Sequence, residues 1–370
     1  MSTHKDNRLR ILHVIAGMNR GGAETFVMNV FRTIDRNKFQ FYFLCFSDKH
    51  FDYEDEIKQL GGEIIRIPDV KKIGIVSHIK AIKSVIEDNS IDIVHAHTYY
   101  NSAFSLIAAK KAGVSTRIVH SHNTMSEVNP SLVKKVYFAL SKLTIRHYAT
   151  KRIACAKEAG YALFGRGNNF IVINNGIDLS RFSYKPAIRK GARAELNIPQ
   201  NATVLLNIAR FQEVKNHTYL IDVFKEYIKI HPNSHLLLVG DGQLRNTIEN
   251  KVRKLKLNNC VSFTGVRSDT EKMYNSADVF VMPSIFEGLP VALIEAQANG
   301  LPCIVSDSID HDVKLNDNFN FLNIHLAPSK WASAAKLCKK RRGQKSHKLD
   351  ELYNIENIVK QLASIYKEVS

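Results

Sequence analysis

Short apolar runs of strand length alternate with helical spacings along nearly the whole chain, and they do so in two series. The first comprises residues 10–15, 41–46, 63–67, 91–95, 116–120, 152–155 and 170–173. Each run is rich in β-branched and aromatic residues, and residues of helical period lie between successive runs. Strands separated by helices pair in parallel, because the crossover helix returns the chain to the same end of the sheet. A second series, residues 203–208, 235–239, 261–264, 279–282 and 303–306, begins after the polar, basic stretch Tyr184-Lys185-Pro186. The pattern predicts an α/β protein of two Rossmann-like, doubly wound domains, residues 1–184 and 185–352. The remaining residues, 353–370, carry Ile355, Ile358, Val359, Leu362, Ile365 and Tyr366 on one stripe, which predicts a helix with a core-facing side; the expectation is that it packs back on the first domain. A chain of 370 residues exceeds one comfortable core and divides into units of roughly 180. Paired domains of this kind bind ligands in a cleft facing the carboxyl ends of their strands.

Composition removes several classes of function. The five cysteines are scattered and form no C-x-x-C pair, which argues against a disulfide or zinc framework and for a reducing compartment. The first ten residues are polar and run straight into a strand, and no apolar run reaches the roughly 18 residues needed to span a bilayer. The expectation is a cytoplasmic protein. The charge is strongly basic, 52 Lys and Arg against 35 Asp and Glu, or +17. Such a chain suits anionic small molecules or an anionic membrane surface. No zinc-finger spacing, RNP-like segment or basic coiled coil points to nucleic acid, which is not expected as a partner.

The chemistry concentrates after the strand at 279–282. There Glu287 and Glu295 stand eight residues apart around a strand–turn–helix: Gly288 allows the turn, Leu289 follows, Pro290 suits the first helical position, Val291 continues the helix and Gly300 ends it. The start of such a helix attracts phosphate. A ligand with phosphates in the middle and hydroxyls at both ends, such as a nucleotide-sugar, fits two carboxylates so spaced. Arg210 and Lys215 follow the strand at 203–208 and can clamp a diphosphate; alone they read first as a solvated basic loop, and the Glu287 segment in the same domain turns the reading to the clamp. Val239-Gly240-Asp241-Gly242 ends a strand and allows close backbone approach, and Phe263-Thr264-Gly265-Val266-Arg267 either offers main chain to a base or is only a strand exit. Gly21 and Gly22 follow the first strand, where they can cradle phosphate oxygens. They do not form G-x-G-x-x-G, and no acidic residue is placed to hold a ribose, so NAD is disfavoured.

His95, His97, His120 and His122 form two H-x-H pairs at strand ends. Alternate strand residues point the same way, so each pair can converge, on a metal or as hydrogen-bond donors to sugar or phosphate. No third-ligand pattern is evident, and no metal is expected. Asp310-His311-Asp312 imitates a D-x-D metal motif but lies in a polar loop. In the helix at 131–148, Leu132, Val133, Val136, Leu140 and Leu143 share one face. Lys134, Lys135, Lys142 and Arg146 share the other, with Phe138 and Ile145 projecting among the cations. Bare apolar residues in a basic face suit a membrane interface, or mark an ordinary surface helix with two partly covered residues. A second basic run, Lys339-Lys340-Arg341-Arg342, adds to the cationic surface.

Taken together, Gly21-Gly22-Ala23-Glu24, Asn174-Asn175-Gly176-Ile177-Asp178 with Arg181-Phe182, Arg210 with Lys215-Asn216, Val239-Gly240-Asp241-Gly242, Phe263-Thr264-Gly265 and the E-x7-E run from Glu287 to Glu295 resemble the retaining GT-B glycosyltransferases of family 4. Val119-His120-Ser121-His122-Asn123-Thr124 and the Glu287–Gln297 segment resemble its capsular and exopolysaccharide branch. The resemblance implies a GT-B fold and transfer of a sugar, without a divalent metal or other cofactor, from a nucleotide-sugar, foremost a UDP-sugar. It implies a lipid-linked saccharide acceptor and an enzyme peripheral on the inner face of the membrane. By position, Arg210 and Lys215 would hold the donor diphosphate, and Glu287 the sugar hydroxyls. Glu295 would hold the ribose, Gly288 to Val291 phosphate or sugar oxygens, and Gly265-Val266 the base. Gly22, beside Gly21, would approach the diphosphate. His122 would touch the sugar near its anomeric carbon, with His97, His120 and Asn123 on the acceptor or sugar side. Lys215-Asn216 replaces the commoner Lys-Gly, which asparagine tolerates because it adopts left-handed backbone. Two rival expectations are a GT-B-like sugar-nucleotide epimerase or hydrolase, and a non-catalytic basic protein binding a membrane.

Overall fold

A computed structural model of the chain describes residues 7–122, 131–287, 289–338 and 346–368. The chain forms two compact units, Met1–Ile177 with Leu352–Ser370, and Asp178–Glu351. The first crossing therefore falls at residue 177, not 184. Residues just past it are bonded within the second unit: Arg181 Nη2 donates to Glu271 Oε2 at 2.7 Å, and the Phe182 carbonyl accepts from Asn299 Nδ2 at 2.8 Å.

In the first unit β1 (Leu9–Val14), β2 (Phe39–Cys45), β3 (Glu63–Arg66), β4 (Ile93–Ala96), β5 (Thr116–Ser121), β6 (Lys151–Ala154) and β7 (Ile171–Val172) form a parallel seven-stranded sheet ordered β3-β2-β1-β4-β5-β6-β7. The order reverses between β1 and β4, the switch point where doubly wound sheets leave a crevice at their carboxyl ends. Alternation along β1 sends Ile11 to one face, against Phe26, Phe31 and Phe41, and Leu12 to the other, against Leu44, Ile82 and Val94. His13 shares the Ile11 face.

The C-terminal helix Ile355–Lys367 starts where Asn354 Oδ1 accepts from the Glu356 N–H at 3.0 Å. Its stripe from Ile355 to Tyr366 is buried in the Ile11-side core. At full burial each such side chain contributes about 1.5–3 kcal/mol. Two backbone bonds tie the helix entry to the end of the first stretch, Ile177 N–H to Tyr353 O at 2.8 Å and Ile355 N–H to Ile177 O at 3.0 Å.

In the second unit β8 (Thr203–Ile208), β9 (Ser234–Val239), β10 (Val261–Phe263), β11 (Val279–Met282), β12 (Cys303–Ser306) and β13 (Phe319–Leu322) form a parallel six-stranded sheet ordered β10-β9-β8-β11-β12-β13. Here the switch lies between β8 and β11. The sequence reading lacked β13, because the chain reaches it from β12 through a single short turn, His311–Val313, and not through a crossover helix. Asp278 fixes the start of β11: its carboxylate accepts from Arg189 at 2.7 Å, from the fully buried Arg193 at 2.8 Å and from the Val204 N–H of β8 at 2.8 Å. One carboxylate thereby aligns the two strands whose far ends carry the candidate site.

Candidate functional site

In the second unit the loop after β8 and the loop after β11 meet at the switch point. Lys215 Nζ forms an ion pair with Glu287 Oε1, and Ser284 Oγ donates to the same oxygen at 2.9 Å. The loops are also tied through backbone, Ile285 N–H to Val214 O at 2.8 Å. Both partners of the pair are largely buried. Asn216 takes the left-handed conformation (φ 54°, ψ 40°) and opens the helix His217–Ile230, so the asparagine serves where glycine is commoner. Arg210 stands exposed one residue beyond the Ala209 N–H bond to Val239 O at 3.0 Å.

The helix Val291–Ala298 follows, with Pro290 at its N-cap and not at its first helical position. Leu289 is half-buried, and Gly288 lies outside the described residues. No side chain caps the helix, which leaves its first N–H groups for another acceptor. One turn in, Glu295 accepts from Tyr274 Oη at 2.7 Å. Burial pushes the Glu295 carboxyl up to about 7, against the opposing pull of Tyr274 and Arg181.

The neighbouring strand exits are stitched together, Gly240 N–H to Gly265 O at 2.8 Å, and Val266 projects from them, mostly exposed. Gly240 is a packing requirement: with φ 129°, a Cβ there would overlap the Ala209 carbonyl oxygen. Asp310-His311-Asp312 is a local turn, with Asp310 Oδ1 accepting from the Asp312 N–H at 2.9 Å and His311 stacked on Phe321 at 4.0 Å.

In the first unit the switch point gathers neutral rings. His13 of β1 pairs in register with His95 of β4, and His97, His120 and His122 complete a cluster at the carboxyl ends. His13 Nδ1 lies 3.0 Å from His97 Nε2, and His97 Nδ1 lies 2.9 Å from His122 Nε2, giving a hydrogen-bonded file of three imidazoles. His95 Nδ1 meets Tyr366 Oη of the C-terminal helix at 2.8 Å. Phe26 sets its ring 5.1 Å from His120 and 5.6 Å from His122. Burial lowers all five histidines from their ordinary value, His122 to about 4, so the cluster is uncharged at neutral pH. Of the five, His122 is the one that is only partly buried. Gly21 precedes and Gly22 begins the helix Gly22–Thr33, and a Cβ built on Gly22 meets nothing within 4 Å. Asn123 lies outside the described residues.

The helix Leu132–Tyr148 corrects the sequence reading. Phe138 is not a bare aromatic: it stacks on Tyr100 at 4.2 Å. Ile145 is 1% exposed among Leu106, Val119 and Leu163. Lys142 lies against the Tyr100 ring at 5.9 Å. The apolar stripe is what faces outwards, with Leu132 77% and Val133 79% exposed, followed by Val136, Leu140 and Leu143. Lys134, Lys135 and Arg146 are exposed on the same helix. The basic run from Lys339 to Arg342 lies outside the described residues. Among the described residues no helix is long and apolar enough to cross a membrane.

The sequence singles out Lys215, Glu287 and Glu295 but not Ser284 or Tyr274, which donate hydrogen bonds to the two carboxylates. It also missed His13, a single histidine inside an apolar strand with no H-x-H partner to flag it. Asn175, a buried asparagine, was visible only as part of the Asn174-Asn175-Gly176 motif.

Two family descriptions match the chain in tandem, Glycosyltransferase Family 4 over residues 20–181 and Glycosyl transferases group 1 over residues 189–340. The protein named glycosyltransferase EpsF of Bacillus subtilis (strain 168) is 38% identical over 309 residues, covering 82% of this chain and 80% of its own. The Escherichia coli UDP-Gal:alpha-D-GlcNAc-diphosphoundecaprenol alpha-1,3-galactosyltransferase is 31% identical over 346 residues, 88% and 86% of the two chains. The capsular polysaccharide biosynthesis glycosyltransferase CapH of Staphylococcus aureus is 27% identical over 371 residues, 97% and 98%. Anabaena HepE, solved in complex with UDP and glucose, superposes with a TM-score of 0.80 at 17% identity over 97% of this chain and 100% of its own.

Proposed function

The chain belongs to glycosyltransferase family 4, in its capsular and exopolysaccharide branch and with the GT-B fold, and from that premise we propose that it transfers a sugar from a UDP-sugar to a lipid-linked saccharide with retention of anomeric configuration. The observation that carries the reading is the meeting of Lys215 and Glu287, 72 residues apart in sequence, at the β8–β11 switch point beside an uncapped helix start. Support for the donor comes from the E. coli relative, named for UDP-Gal, and from HepE, solved with UDP and glucose. Support for the acceptor comes from the diphosphoundecaprenol in the same relative's name.

The second unit holds the donor. An arriving diphosphate draws Lys215 away from Glu287, and Arg210 and the first N–H groups of the helix Val291–Ala298 take the remaining charge. Glu287, steadied by Ser284, then accepts hydrogen bonds from the sugar hydroxyls, while Glu295 accepts from the ribose. Main chain at Gly265 and Val266 meets the base. In the reaction the bond from the anomeric carbon to the diphosphate oxygen breaks, and the acceptor oxygen bonds to that carbon from the same face. The acceptor proton passes to the departing diphosphate. Lys215, Arg210 and the helix start stabilise the charge that develops on the leaving group.

The first unit is assigned the acceptor side, where the neutral, partly exposed His122 offers a hydrogen bond to a saccharide hydroxyl. The exposed stripe Leu132, Val133, Val136, Leu140 and Leu143, bordered by Lys135 and Arg146, seats this unit on an anionic membrane surface where lipid-linked acceptors lie. The test is sugar transfer by the Lys215→Ala and Glu287→Ala proteins. Wild-type rates in both would remove the assignment.

A further inference from the structure

Sugar transfer uses one histidine of the first unit, yet five converge there. Buried imidazole nitrogens call for partners. Both nitrogens of His120, Nδ1 of His122, and Nε2 of His13 and of His95 are buried with no hydrogen-bond partner among the described residues. Three of the rings form a closer set: one nitrogen each from His97, His120 and His122 lies within 4.8 Å of the others. In a tetrahedral site with metal–nitrogen bonds of about 2.0–2.1 Å, ligand nitrogens stand about 3.3 Å apart, so modest ring rotation closes the set. We propose that His97, His120 and His122 bind one borderline-soft divalent cation, Zn2+ foremost, and that the bound ion withdraws His122 from the sugar and so inhibits transfer.

The chemistry of the donors selects the ion. Three imidazoles and no carboxylate suit zinc and its transition-metal neighbours and exclude magnesium and calcium, which take oxygen ligands. His97 would coordinate through Nδ1, the atom now facing His122, because its Nε2 meets His13 Nδ1 at 3.0 Å. That contact is the outer-shell partner that orients a ligating histidine. His122, partly exposed at the strand end, provides the entry. Three neutral ligands leave the ion its full charge, so the fourth position takes hydroxide or another small anion. The deeper set His13, His95 and His97 competes less well, because all three rings are buried and Tyr366 engages His95.

The experiment titrates the full-length, chelator-treated protein with Zn2+ by calorimetry, counts the metal retained after desalting, and repeats both with Co2+, whose visible spectrum reports tetrahedral geometry. One ion per chain is expected. His122→Gln should weaken binding about a hundredfold, and His13→Phe, an outer-shell change, about tenfold. His120→Gln serves as a second ligand variant, and His122→Gln keeps the test valid should the buried substitution not fold. Glu287→Gln should titrate like wild type. Stoichiometric Zn2+ should suppress sugar transfer and EDTA should restore it. Equal titrations for wild type, His120→Gln and His122→Gln would overturn the site, and full transfer by the zinc-loaded protein would overturn the inhibition. A metal-free protein that transfers no sugar from any UDP-sugar would count against the transfer reading and leave the zinc titration standing.

Discussion

In the second unit the switch between β8 and β11 is filled with charge: Lys215 on Glu287, Arg210 at the same strand end, Glu295 one turn into the next helix. In the first unit the equivalent switch, between β1 and β4, is lined with imidazoles that burial keeps neutral. Topology is shared and chemistry is not. A doubly wound sheet fixes where a ligand is received, and the few residues after each strand fix what is received. Cations and free helix N–H groups suit a diphosphate. Neutral donors and acceptors suit sugar hydroxyls, and they also suit a zinc ion.

The contrast breaks first at the charged pair. Glu287→Ala and Lys215→Ala should each lower transfer about a hundredfold, the scale of removing one preorganised transition-state contact, measured as kcat/KM with a saturating acceptor. Next comes pH. Glu295, pushed up to about 7, is neutral below that value and a hydrogen-bond-accepting carboxylate above it. UDP affinity should therefore rise about tenfold as pH climbs from 6 to 8, while Glu295→Gln should flatten the profile. The stability sign is opposite. The folded state prefers the neutral carboxyl, so stability is fully present below the ordinary carboxyl value of 4.5 and is lost as pH rises through about 7. The loss is at most about 3 kcal/mol, read from denaturant midpoints of wild type against Glu295→Gln.

His122→Gln should slow transfer about tenfold, the worth of one neutral hydrogen bond, with no change in UDP affinity. A loss of UDP affinity there would erase the division of labour between the units. Smallest is the membrane contact. Leu140→Asp should weaken co-sedimentation with phosphatidylglycerol vesicles about fivefold, whereas Phe138→Asp should unfold the helix packing instead. Equal vesicle binding by Leu140→Asp and wild type would discard the stripe.

Much of this is legible in the sequence. The short apolar runs placed twelve strands, and Gly300, Gly288 and Pro290 bracketed the helix after β11. The E-x7-E spacing placed one carboxylate before that helix and one inside it. What stayed hidden has specific causes. A helical wheel shows which residues of 132–148 share a face but not which face turns inwards. The Phe138 stack on Tyr100 and the pocket around Ile145 decide that. The Lys215–Glu287 pair joins loops from different strands, so no local pattern reports it. His13 needed strand order, because only the β1–β4 pairing brings it beside His95 and His97.

The most direct measurement is calorimetric binding of UDP, without sugar or acceptor, to wild type, Lys215→Ala and His122→Gln. Placement of the diphosphate in the second unit predicts that Lys215→Ala weakens UDP about tenfold or more and that His122→Gln binds as wild type does. Undiminished binding by Lys215→Ala, or a loss confined to His122→Gln, would contradict it.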